Sequence, residues 1–117
     1  MASSYRELLV WRKAISLVTE IYEATEHFPS KEIYGLVSQL RRAAVSVPSN
    51  IAEGQARFSK PEFRHFLRNA KGSLAEIDTQ LVIAYKLGYL GKSKAEVLVK
   101  KVAEVGRMVS GLISKLD

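Results

Sequence analysis

The side chains best suited to chemistry in this sequence are its cations. Residues 31–71 carry eight basic against three acidic side chains, a balance of +5 in a chain whose net charge is +6. Residues 1–30 balance at −1 and residues 72–117 at +2, so the excess has a location. Five of the eight are arginines, and the planar guanidinium fork suits phosphate oxygens better than a lysine point charge does. Arg64, Arg68 and Lys71 stand at i, i+4 and i+7, one stripe of a helix. Rows of this kind neutralise phosphates and release counterions. Arg41, Arg42, Arg57, Arg64, Arg68 and Lys71 are therefore the candidate nucleic-acid contacts. The same charges also suit a solvated face with ion pairs to nearby Glu.

Other chemistries find less support. Glu62-Phe63-Arg64-His65 is a Glu-x-x-His string, which di-metal bundles use twice with two further Glu. The other histidine, His27, has Ala24 three residues before it, and Arg64 and Arg68 beside His65 repel a cation, so no metal site is expected. The absence of cysteine excludes a disulfide framework, a thiolate zinc site and a thiol nucleophile. Gly88-Tyr89-Leu90-Gly91 matches a short GXXG string, but the fold that clamps nucleic acid with it needs a sheet. No Walker loop or dinucleotide fingerprint occurs, and neither histidine has a local serine–carboxylate arrangement. An enzyme is not expected, nor a cofactor.

The elements that must carry these residues read as four amphipathic helices. Leu8, Trp11, Ile15, Val18 and Tyr22 recur at alternating steps of three and four, with Ala14, Ile21 and Phe28 widening the stripe. Pro29 stops this segment. The second segment runs Ile33, Val37, Leu40, Ala44, Val47, Ile51, Gly54, Phe58, with Pro48 in its middle. An unchanged register across the proline favours one kinked helix. Asn50 and Glu53, at capping-box spacing, leave a fresh start open. Ser59-Lys60-Pro61-Glu62 is a helix start, followed by Phe63, Leu67, Ala70, Leu74, Ile77, Leu81 and Ala84, and Gly88 ends this third segment. Ser93, with Glu96 three residues on, is the expected cap of the fourth, whose stripe is Ala95, Leu98, Val102, Val105, Val109, Leu112 and Leu116. Short links between long helices predict an all-α, antiparallel up-down-up-down four-helix bundle over residues 1–117.

Two features exceed what a simple bundle needs. Gly54, Gly72, Gly106 and Gly111 fall inside helices, through plain tolerance or through close helix approach. Val97, Val99, Met108 and Ile113 widen the fourth stripe, as a second buried face would, and suggest self-association. No apolar run approaches the roughly 20 residues of a membrane span, and no signal-peptide core is present, so a cytoplasmic protein without membrane contact is expected.

The stretch from Gln39 to Gly54, QLRRAAVSVPSNIAEG, resembles the signature of bacterial four-helix-bundle proteins encoded in intervening sequences of 23S ribosomal RNA genes. Leu8-Leu9-Val10-Trp11-Arg12-Lys13-Ala14, Phe28-Pro29, Ala70-Lys71-Gly72-Ser73-Leu74-Ala75-Glu76 and Leu87-Gly88-Tyr89-Leu90 extend the resemblance along the chain. Arg41 and Arg42 match the motif's arginine pair and Arg57 its later arginine, whereas Ala56 stands where a glycine is common. The resemblance implies a bundle whose second helix runs through Pro48, and homo-oligomers, notably pentamers. A relative is the accessory protein of diversity-generating retroelements, a basic barrel that binds nucleic acid and a reverse transcriptase. The resulting expectation is a non-enzymatic oligomer that binds RNA or DNA non-specifically through a basic face of the second and third helices. The alternatives are a scaffold docking an acidic protein partner such as a polymerase, and an assembly without ligand.

Overall fold

A computed structural model describes residues 4–117. Four helices form an antiparallel up-down-up-down bundle: α1 (Leu9–Thr25), α2 (Leu36–Ala56), α3 (Lys60–Lys86) and α4 (Lys92–Leu116). One-turn 3-10 segments at Tyr5–Glu7 and Ser30–Glu32 precede α1 and α2. α2 packs on α1 and α3, α3 on α4, and α4 closes the ring against α1. The bundle is 43 Å long, close to the length expected of its 27-residue α3.

The inner stripes of α2, α3 and α4 follow the predicted spacing. Leu40, Ala44, Val47 and Ile51 of α2, Leu67, Leu74, Ile77 and Leu81 of α3, and Leu98, Val102, Val105 and Val109 of α4 are buried. The ends of the second stripe differ: Ile33 precedes α2 and is half exposed, and Phe58 follows it and is 95% exposed. Phe58 sits at φ 58° in the three-residue link to α3, a left-handed conformation that turns its ring outward.

In α1 the structure corrects the reading. The buried stripe is Val10, Ala14, Leu17 and Ile21. The expected stripe lies beside it: Leu8, Trp11 and Val18 are half-buried, and Ile15 and Tyr22 are exposed. Both stripes have helical spacing, so periodicity cannot rank them. The ring decides, because Val10, Ala14, Leu17 and Ile21 face its inside, whereas Trp11, Ile15 and Val18 line the outer α1/α2 groove.

α2 continues uninterrupted through Pro48, which disposes of a fresh start at Asn50. The proline removes the N–H that Ala44 would receive. Two residues further on, Asn50 Nδ2 donates to Ser46 O at 2.8 Å and to Ser46 Oγ at 2.9 Å, and Ser46 Oγ shares a 2.8 Å hydrogen bond with Ser73 Oγ of α3. A polar chain thus spans the proline within α2 and ties Ser46 to α3. Ser59 caps α3 by accepting from Glu62 N, as its sequence predicts. α4 starts earlier than expected: Gly91, not Ser93, is its N-cap, and Ala95 N donates to Gly91 O at 2.9 Å.

The two turns at the other end of the bundle lock together. Phe28 meets Tyr89 with ring centroids 5.5 Å apart. Tyr89 Oη donates to Glu32 Oε2 at 2.9 Å, and Leu36 N donates to Glu32 Oε1 at 3.1 Å, so Glu32 does the capping that Gly35 cannot. A Cβ on Gly35 would stand 2.7 Å from that carboxylate oxygen. The Leu36 amide, with the Tyr89 hydroxyl second, holds the Glu32 carboxyl below the usual carboxylate range, and the bond to Glu32 pushes the Tyr89 phenol up.

The interior glycines separate into two kinds. A Cβ on Gly54 would fall 2.8 Å from Phe66 Cβ and 2.9 Å from Phe63 Cδ1, so α3 approaches α2 through the missing side chain. At Gly72, Gly106 and Gly111 a Cβ would meet nothing within 4 Å. Close approach explains the first, and tolerance accounts for the other three.

Candidate nucleic-acid interface

The six candidate cations do not form one cluster. Arg41 turns toward α1: its Nε donates to Thr25 Oγ1 at 2.9 Å, its Nη2 to Tyr22 O at 3.3 Å, and its guanidinium lies 4.5 Å from the Tyr22 ring centroid. A cation there satisfies carbonyls at the negative end of the α1 dipole. Arg64 does the same for α4, donating from Nη2 to Leu116 O at 2.7 Å, with Nε 2.8 Å from Asp117 Oδ1. Lys71 Nζ donates to Ser110 Oγ of α4 at 2.7 Å. These three lie on opposite seams of the ring, Arg41 on α1/α2 and Arg64 and Lys71 on α3/α4.

Arg57 forms a 3.0 Å ion pair with Glu53 and rests 5.1 Å from the centroid of Phe66 on α3. Arg42 is exposed on the wall of the α2/α3 groove, and Arg68 is exposed between Arg64 and Lys71. Among the described residues, Arg41, Arg42, Arg68 and Lys71 have no carboxylate within 4 Å. Their charge is left uncompensated. The remaining ion pairs, Lys13–Glu104 and Lys101–Glu20, join α1 to α4. His65 is exposed and meets Phe66 edge-on, with centroids 5.4 Å apart.

Sequence reasoning missed two surfaces. One is an apolar groove on the α1/α2 seam, where Tyr5, Trp11, Ile15 and Val18 face Val45 and Pro48. Its signal was the second stripe of α1, read as core. The other is a polar groove on the α2/α3 seam, lined by Gln39, Arg42 and Ser46 from α2 and Ser73, Glu76 and Gln80 from α3. Gln80 was legible only as a polar residue at an inward position, three residues after Ile77.

No group of three or more His, Cys, Asp or Glu side chains placed to hold a metal ion occurs among the described residues. No helix among them is long and apolar enough to cross a membrane.

An all-α bundle closed as a four-membered ring, with its basic residues on the outer seams, defines the class. The 23S rRNA-intervening sequence protein family matches residues 6–111, and the chain belongs to that family. Comparison with curated proteins finds no match. The fold is similar to the 1.70 Å crystal structure of a protein of unknown function from the S23 ribosomal protein family of Bacteroides thetaiotaomicron. The TM-score is 0.81 at 18% identity, over 90% of this chain and 98% of that one.

Proposed function

We infer that this chain is a non-enzymatic, self-associating bundle that binds nucleic acid, RNA or DNA, non-specifically through its uncompensated cations. The observation that carries this reading is that Arg42 and Arg68 are exposed and have no carboxylate within 4 Å among the described residues. Arg42 and Arg68 are the principal phosphate contacts, because their guanidinium groups are exposed and hold no partner among the described residues. Arg41, Arg64 and Lys71 add charge while bonded within the bundle. Arg57, paired with Glu53, contributes least. Charges spread over several seams suit a strand that wraps an assembly better than one that crosses a single protomer. Self-association is supported by the α1/α2 apolar groove, and a pentamer is the expected order.

The test is a titration of labelled single-stranded RNA and DNA at rising salt. Affinity should fall steeply as salt rises. Arg42→Ala with Arg68→Ala should flatten that dependence by roughly one counterion for each arginine removed. Binding that is absent at low salt, or flat with salt, ends the proposal. Light scattering at micromolar concentration tests the assembly, with a monomer as the contrary result.

A further inference from the structure

The link between α2 and α3 carries a ring that the bundle does not use. Phe58 is 95% exposed and, at φ 58°, is the one non-glycine residue with positive φ among the described residues. For a bulky side chain that conformation is an outlier, and a glycine would adopt it at less cost. The chain thus holds an aromatic face in solvent where the backbone alone favours a residue without one. Phe58 lines a cavity of about 520 Å³, within the roughly 300–1,000 Å³ usual for small-ligand sites. Tyr5, Phe63 and the exposed Lys60 share its walls. Lys60 has no carboxylate within 4 Å among the described residues. It heads a row on α3, since Lys60, Arg64, Arg68 and Lys71 stand at i, i+4, i+8 and i+11. Arg64 donates to the backbone oxygen of Leu116, a residue of the same cavity. Glu62, two residues from Lys60, falls off this row.

An exposed ring at the head of a cation row matches the repeating unit of a single strand, a flat base beside a phosphate. Proteins that bind single strands without sequence preference stack bases on aromatic side chains along a positively charged groove. A duplex offers the same phosphates but keeps its bases stacked on one another, so it gains from the row and not from the ring. We propose that Phe58 stacks one unpaired base at the mouth of this cavity, with Lys60 on the adjoining phosphate and the strand continuing along α3 to Arg68. The chain then prefers single strands to duplex without reading their sequence, because every base has a π-face. The proposal rests on the nucleic-acid reading above and adds strandedness to it.

The experiment compares three labelled probes at one salt concentration: a mixed-sequence 12-mer RNA, the same strand annealed to its complement, and an abasic 12-mer that keeps the phosphates. The wild-type chain should bind the single strand about tenfold tighter than the other two, in the range of one stacked base. Phe58→Gly should erase that advantage and leave duplex affinity and its salt dependence unchanged. The urea midpoint should not fall, because glycine suits φ 58°. Phe58→Trp should keep the advantage. Equal wild-type affinity for the three probes, or an advantage that survives Phe58→Gly, overturns the stacking role while leaving phosphate binding in place. A Phe58→Gly chain that light scattering shows as a smaller species assigns the ring to contacts between copies, and also overturns it. Failure to bind any probe overturns the nucleic-acid reading and the stacking role together.

Discussion

The two flanks of α2 differ in kind. Toward α1 it presents Val45, Pro48 and Ala52 to Trp11, Ile15 and Val18, in a groove with scarcely a polar atom. Toward α3 it presents Ser46, Asn50 and Gly54, and the two helices draw close enough that a Cβ on Gly54 would collide with Phe63 and Phe66. The first seam is apolar along its groove and hydrogen-bonded only at the Arg41 end; the second is tight at Gly54 and joined by the Ser46–Ser73 bond. Apolar surface without complete cover favours association and is tolerant of geometry. A hydrogen-bonded seam specifies distance and register, since each donor must find its acceptor. The same helix therefore carries one apolar flank and one polar flank.

Four substitutions put this contrast to the test. Gly54→Ala should have the largest effect on stability. Overpacking costs about 1–3 kcal/mol, against which the gain in helix propensity returns at most about 1 kcal/mol. A lower urea midpoint is expected, and an unchanged one would mean the α2/α3 seam is not tight. Ile15→Glu on the α1/α2 seam should leave the helical circular dichroism intact and shift light scattering from oligomer to monomer. Loss of helix instead would make that seam part of the core. Gly72→Ala should raise the urea midpoint by the equivalent of roughly 0.5–1 kcal/mol, because its Cβ meets nothing and alanine is the better helix former. A fall would mean that assembly brings another helix against that site.

The smallest effect concerns acid. Glu32 is held below its ordinary range in the folded chain, so it stabilises the fold at neutral pH, and that contribution is lost as pH falls through the folded value. Tyr89 is raised, so its contribution is present at neutral pH and lost in strong alkali as pH rises through the folded value. Glu32→Gln should make stability less sensitive to acid. An unaltered acid limb in urea melts across pH would assign the effect to other carboxylates.

Much of the fold was legible. Ser59 and Glu62 marked the start of α3, and Gly88, at φ 78°, its end. The inner residues of α2 and α3 each form one stripe, and α4 buries Ala95, Leu98, Val102, Val105 and Val109 of the stripe expected of it. α1 was not legible in the same way, because it carries two. The start of α4 shifted from Ser93 to Gly91, since backbone geometry outranked a capping-box spacing. The candidate site was legible as charge but not as arrangement. Sequence places Arg41 beside Arg42 and Arg64 near Arg68, yet the first of each pair caps a helix distant in sequence.

Local periodicity and end signals are properties of the linear chain. They suffice for four helices, their order, their short links, a basic middle and the absence of cysteine. Packing decided which stripe of α1 turns inward, which glycine admits a neighbouring helix, and which cations are spent on carbonyls rather than left for a ligand. The reason is physical. Helical period depends on residues three and four apart, whereas burial, collision and pairing depend on side chains that only the folded bundle brings together.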